Sequence, residues 1–334
     1  MFILLGICIL LAGLLTFNSL ASLTTATLWS LAHRFTDRWS GSARARMVFS
    51  LRVLPIALGI SCILFLVAPA YLKLEPRSTT EELSLKLGII AFVSAVGIAL
   101  AVARGIAAWR ATARLTADWL RHAELISIPG VSIPAYRIEH QFPVIAIVGV
   151  LRPKLFIGSQ IFNSLTPEEI SAAVEHETGH LVARDNLKRG LLRACRDAMV
   201  IIPCGRTLDR AWAEASEEAA DEHAARHGRA VALDLASALV KISRMVPVGA
   251  RPSMPAGAFL VGDDESRGVK MRVRHLIQIA SGDGQPAVYE PFVASLVIWA
   301  SFALMSSLVF LSHGNPHVLA SVHSLIEGVV SFLS

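Results

Sequence analysis

Long uncharged stretches dominate the pattern of apolar and polar positions. From Met1 to about Thr24 there is no charged side chain, and the apolar run continues towards Leu31. Similar runs extend from about Val53 to Tyr71, with Pro55 and Pro69 near the ends, from Leu87 to Ala103, and from Phe292 to Leu311. Each approaches the ~20 residues that cross a bilayer core as a helix. The first run lacks a basic leading region and is too long for a signal-peptide core, so it is expected to be a retained helix. The pattern predicts three transmembrane helices within 1–103, a polar domain over 104–290, a fourth transmembrane helix over 291–312 and a tail over 313–334. His317, His323 and Glu327 interrupt the tail, which reads as an amphipathic surface helix rather than a fifth span.

Within the polar domain the period changes. Gly105 to Ala123 interleaves Ala, Leu and Trp with arginines and extends the third span as a helix, with its basic side near lipid head groups. Pro143–Val150 and Lys154–Ser159 are β-prone runs flanking Leu151-Arg152-Pro153, and predict two short strands joined by a turn. Next comes Leu165-Thr166-Pro167-Glu168-Glu169. Thr166 suits an N-cap, Pro167 the first helical position, and Glu169 completes a capping box, so a helix is predicted through His180 to about Arg184. The expected fold is a mainly α polytopic membrane protein with a cytoplasmic zincin-like α+β domain.

Composition agrees with the membrane reading. The 334 residues are 54% hydrophobic and 17% charged, with a mean hydropathy of +0.55, against roughly a quarter charged in soluble domains. The net charge of +5 comes with no basic block interleaved with aromatics, so no direct nucleic-acid binding is expected. Arg34, Arg38, Arg44, Arg46 and Arg52 fill the first connection, and Arg104, Arg110, Arg114 and Arg121 follow the third span. The positive-inside rule then puts the domain in the cytoplasm and the amino terminus outside, as in a bacterial inner membrane. Cys8, Cys62, Cys195 and Cys204 form no CxxC pair and read as small apolar residues.

The chemistry lies in Val174-Glu175-His176-Glu177-Thr178-Gly179-His180. On a helix, His176 and His180 face one side a turn apart, as two ligands of one metal must. An HExxH pattern arises by chance in about one chain of this length in a hundred, and the capping box places this one on a helix. Catalytic zinc needs a third protein ligand and an open position for water. Two sets compete within Ala215–Gly228: Glu217 with Asp221, and His223 with His227. His223 lies about 240° round the helix from Glu217, so the sets cannot share a face, whereas Asp221 lies about 40° from it and can stand behind it. The histidine pair reads as a solvated face.

HExxH followed by E-x-x-x-D resembles the gluzincin-type integral membrane proteases. The short interval from His180 to Glu217, the stretch Gly149…Arg152-Pro153…Ile157, the run Arg184-Asp185-Asn186-Leu187 and the element Arg272-Val273-Arg274-His275-Leu276 resemble the BlaR/MecR-type regulator peptidases. Gly179 is more typical of the related CAAX prenyl and heat-shock membrane proteases. The resemblance implies one zinc per chain held by His176, His180 and Glu217. It also implies Glu177 as general base and Asp221 as the group orienting a ligand histidine. Asp185 is expected to pin the end of the active helix or to stand behind a ligand. His275, Arg272 and His227 are candidate oxyanion stabilisers. Pro143–Val150 reads either as an edge to which an extended substrate adds or as an ordinary core strand. The loop from Val246 to Arg267 reads as a lid or a site of self-cleavage. About two dozen residues follow Leu311, so direct β-lactam sensing through a penicillin-binding domain like the regulators' is not expected. The expected function is regulatory proteolysis of a protein or peptide substrate, such as a transcriptional repressor or the chain itself. Its rivals are a quality-control protease of the heat-shock type and a non-catalytic membrane transducer.

Overall fold

The computed structural model describes residues 2–36, 39–77, 84–198, 205–246, 265–282 and 292–333. Helix predominates. In chain order the elements are α1 (Phe2–Ala32), α2 (Gly41–Cys62), α3 (Ala68–Leu74), α4 (Leu85–Arg121), the strands β1 (Glu124–Ile126), β2 (Ala135–Ile138), β3 (Ile145–Val148) and β4 (Lys154–Gly158), then α5 (Ser159–Ser164), α6 (Pro167–Ala183), α7 (Asp185–Ala198), α8 (Gly205–Ala225), α9 (Arg229–Met245), α10 (Glu265–Ser281), α11 (Phe292–Ser312) and α12 (Pro316–Leu333). The interval 247–264, which holds most of the loop expected as a lid, lies outside the described residues.

Three helices among the described residues are long and apolar enough to cross a membrane: α1, the continuous helix Gly41–Leu74, and α4. The second differs from its sequence-based bounds. Pro55 and Pro69 lie inside it rather than at its ends, and Ile63–Val67 forms a π-turn just before Pro69. A proline removes one N–H from the helical ladder, and local π adjustment is one way a membrane helix absorbs the loss. The charged lower part of this helix, with Arg44, Arg46 and Arg52, continues the apolar part without a break. Likewise α4 runs 37 residues from its apolar stretch through the arginine-bearing segment, as expected for an extension of span three. Where a fourth span was expected, α11 is an apolar helix packed along α2.

The tail is helical, and it is partly packed rather than free. Leu319 and Ile326 of α12 join Leu5 and Cys8 of α1, Ala70 and Tyr71 of α3, and Leu87 of α4 in one buried cluster. That places α12 across the end of the bundle where α1 starts, α3 finishes and α4 begins. Leu325 and Phe332 remain exposed, which keeps the helix amphipathic.

The sheet is small, and its β3 and β4 strands are buried on both faces. Its order is β1-β2-β4-β3, with β2 parallel to β4 and the other two pairs antiparallel. Ile145, Ile147, Leu155 and Ile157 face the cluster built by α6 and α9. Val144, Ala146, Val148 and Phe156 face Trp119 at the end of α4. A strand covered on both sides needs no polar alternation, which is why Pro143–Val150 reads as a continuous apolar run. The two expected strands are present, and β1 and β2 join them from less distinctive sequence.

The capping box at the start of α6 forms as predicted. Thr166 Oγ1 accepts from the Glu169 amide and the Glu169 carboxylate accepts from the Thr166 amide. Glu169 also accepts from Ser237 Oγ (2.6 Å) and Lys241 Nζ (2.8 Å), tying α6 to α9. Burial opposes ionisation of Glu169, but these donors and the Lys241 charge outweigh it and hold its carboxyl below the ordinary value. The stabilisation is therefore present above the unfolded-state pKa of about 4.3 and is lost as the pH falls through the lower folded value. Glu169→Gln is expected to cost roughly 1–2 kcal/mol at pH 7. Thermal unfolding should show the gap to wild type closing towards pH 3.

Candidate metal centre

Two helices supply the centre, and their close crossing is set by a glycine. On α6, Gly179 sits between the two histidines in sequence and faces α8. A Cβ there would lie 3.1 Å from both the Ala220 Cα and the His223 Cβ. The absent side chain lets α8 approach and brings Glu217, less than one turn before Ala220, alongside His176 and His180.

The three expected ligands meet. His176 Nε2 is 3.6 Å from one Glu217 carboxylate oxygen and His180 Nε2 is 3.5 Å from the other. One ligand atom from each residue lies within 4.8 Å of the others, so the group can hold a metal ion. Tetrahedral zinc with arms of 2.0–2.2 Å separates its ligand atoms by about 3.4 Å, close to the two distances found. The donor set, two imidazoles and a carboxylate, is one that zinc accepts. His176 is fully buried, while His180 and Glu217 keep partial exposure, leaving the site open on their side.

Each histidine is held from behind by a carboxylate. His176 Nδ1 lies 2.9 Å from Asp221 and His180 Nδ1 lies 2.7 Å from Asp185. With Nδ1–H donating to a carboxylate, each ring turns its Nε2 towards Glu217. Asp221 thus stands on His176, as expected. Asp185 opens α7 immediately after Arg184, whose left-handed backbone (φ 56°) ends α6. That sharp corner turns Asp185 back onto His180, and Ser216 Oγ donates to the same carboxylate oxygen at 2.6 Å.

Arg272 on α10 closes the network. Its Nε and one terminal nitrogen donate to Asp221 at 2.8 and 2.7 Å, and its other terminal nitrogen is 3.1 Å from Glu217. Arg189 donates to the second Glu217 oxygen at 3.2 Å. Burial opposes the charge of Asp221, but Arg272 and His176 outweigh it and hold its pKa at about 2. Glu217 is likewise held well below the ordinary range against its burial, by His180 and Arg272. Burial also works against protonating His180, yet the Glu217 charge and the bonds from Asp185 and Glu217 push it up to about 10. The pocket as a whole favours positive charge.

Glu177 faces the strand side. It is buried, and its Oε2 accepts from the Ile147 amide at 3.2 Å. Burial raises its pKa, against the pull of both histidines and that amide, which suits a group that must take up a proton. Asn186 Nδ2 donates to the carbonyls of Ile147 (2.9 Å) and Gly149 (3.2 Å). β3 is an edge of the sheet, as one sequence reading expected. At Ile147, though, its outward amide and carbonyl are already engaged by Glu177 and Asn186.

The three oxyanion candidates fall elsewhere or are engaged. Arg272 grips Asp221 and Glu217. His227 lies 3.8 Å from Glu175, half exposed on the surface, whereas His223, expected on the same solvated face, is partly buried against Gly179 of α6. His275 lies 3.9–4.0 Å from Glu218 and Glu222, on a different face of α8 from the ligand Glu217. Sequence reasoning missed Asn186, Ser216 and Arg189 as supports. The regulator-like run 184–187 pointed towards Asn186, while nothing marked Ser216 or Arg189. Comparison with known protein families, with curated proteins and with solved structures finds no match.

Asp221→Ala removes the carboxylate that takes two donors of the largely buried Arg272. The loss of such a partner typically costs about 3–5 kcal/mol. Denaturant unfolding should register this loss, and the double variant Asp221→Leu/Arg272→Met should recover part of it.

Proposed function

We propose that the chain is an integral membrane zinc endopeptidase of the gluzincin type, whose zincin-like domain hydrolyses protein substrates on the cytoplasmic side. One observation carries the reading: two imidazole nitrogens and a carboxylate converge, each imidazole braced by its own buried carboxylate, with a second glutamate beside them. This is the pattern of an oriented metal shell. Sidedness follows from the arginines. Arg34, Arg44, Arg46, Arg104, Arg110 and Arg114 flank the domain end of the apolar helices, and the positive-inside rule places that end in the cytoplasm. The apolar α11 serves as a fourth span, which returns α12 to the outer side.

His176, His180 and Glu217 would hold the zinc, which when bound acidifies its water and polarises a peptide carbonyl. Asp221 and Asp185 keep both imidazoles in one tautomer. Glu177 accepts the proton of the attacking water and returns it to the leaving amine. Its bond to the Ile147 amide fixes one carboxylate oxygen and leaves the other to exchange the proton. An extended substrate adding to β3 engages the strand at Ile145 or displaces the side chains at Ile147. The resemblance to regulator peptidases favours a restricted substrate, such as a repressor or the chain itself, over general clearance of misfolded proteins.

Purified wild type is expected to contain about one zinc, lost in His176→Ala and in His180→Ala at retained helical content. Asp185→Ala should weaken zinc binding by roughly 10- to 100-fold. A wild type that is fully folded yet takes up no zinc sinks the reading. Glu177→Ala should keep its zinc and lose about two to four orders of magnitude in turnover. Profiling new protein termini in cells with wild type and Glu177→Ala reads the substrate range directly. Fragments from one or a few proteins mark regulation, and many membrane-protein fragments mark quality control.

A further inference from the structure

Helix α8 carries Glu217 on one face, and on another it is pressed against a membrane-crossing helix. At the start of α2, a Cβ on Gly41 would lie 2.6 Å from the Ala219 amide nitrogen and 2.8 Å from the Glu218 carbonyl carbon. The two backbones therefore touch within two residues of the ligand Glu217, and no larger residue fits without moving one of the helices. The Gly41 amide donates to Glu222 Oε1 at 2.9 Å, and Arg44 pairs with Glu218. At the other end of α8, Arg52 Nε donates to Asp209 at 3.1 Å. The guanidinium there fills the space over Gly205, where a Cβ would lie 2.5 Å from it. The contact runs from Gly205 to Glu222, roughly 25 Å of helix at 1.5 Å per residue.

Two features make this more than ordinary packing. Glu218, Glu222 and His275 lie close enough together to resemble a second metal-ligand group, yet Arg44 and the Gly41 amide occupy its carboxylates. The cluster is a seat for α2. The helix seated there continues as one piece through the π-turn to Leu74, and at its far end Tyr71 donates to the Phe2 carbonyl at 2.7 Å. Meanwhile α10 grips a neighbouring face of α8 through Arg272.

We infer that Gly41 and Glu222 are positioning residues for the metal site: they seat α8 on the membrane helix α2, so that where α2 stands determines how Glu217 meets the two histidines. This inference rests on the zinc reading above. A displacement of α2 within the bilayer then alters metal retention without any ligand being touched. It is a physical route from the membrane to the site.

The test is zinc affinity, measured by chelator competition on full-length protein in lipid nanodiscs. Gly41→Val and Glu222→Ala are expected to weaken binding by about 10- to 100-fold, the range for groups that orient ligands. Glu222→Gln, whose amide oxygen still accepts from the Gly41 amide, should stay within about threefold of wild type. Leu239→Ala, in the core beneath the sheet, serves as the comparison. It should lower thermal stability and leave affinity unchanged. Wild-type affinity in both Gly41→Val and Glu222→Ala overturns the inference, as does an equal loss in Leu239→Ala. If Gly41→Val does not fold, the contrast between Glu222→Ala and Glu222→Gln decides. Failure of wild type itself to bind zinc marks instead the failure of the metal reading.

Discussion

The crossing of α6 and α8 at Gly179 is the constraint on which the rest of the site depends. Packed interiors transmit displacements of a methyl group, and a Cβ at this crossing would meet α8 at 3.1 Å. The same closeness that Gly179 permits leaves both histidine Nε2 atoms about 3.5 Å from Glu217. The ligand pattern on α6 gains its third member through this backbone approach rather than through any attraction among the ligands.

Once the helices are this close, charge must be balanced in a space with little water. Asp221 is fully buried and Glu217 partly so, and Arg272 answers both with a planar fork of donors. A buried ion pair is weak evidence for stability, but it fixes geometry, because either partner alone is costly. Here the pair fixes the rotamer of Asp221, and through it the tautomer of His176. Ser216 and Lys188 play the corresponding part for Asp185 and His180. The two imidazoles are therefore oriented by separate networks drawn from α7, α8 and α10.

Much of the framework was legible in the sequence because its signals are local. A capping box needs four residues, and it placed HExxH on a helix before any contact was known. Uncharged runs of bilayer length located the apolar helices, and E-x-x-x-D located Glu217 and Asp221 on one side of α8. What escaped was either short or non-local. β1 and β2 are three and four residues long, with ordinary sequences that join the sheet only through the pairing of β2 with β4. Pro55 and Pro69 suggested helix ends, because proline breaks an isolated helix, while in the bundle a π-turn and neighbouring helices absorb the missing donors.

The sequence by itself determined which residues could serve as metal ligands and which segments are apolar enough to cross a bilayer, since both depend on residue type and on spacing along one element. The tertiary structure decided which groups support them. Asn186 reaches β3, Ser216 of α8 and Arg189 of α7 each reach the other helix, and Arg272 couples α10 to Glu217 and Asp221. It also decided that Glu218 and Glu222, in themselves an acidic pair on a helix, seat a membrane helix. Those roles arise from the approach of backbones far apart in the chain, a quantity carried by the packing of whole helices and by no local pattern of residues.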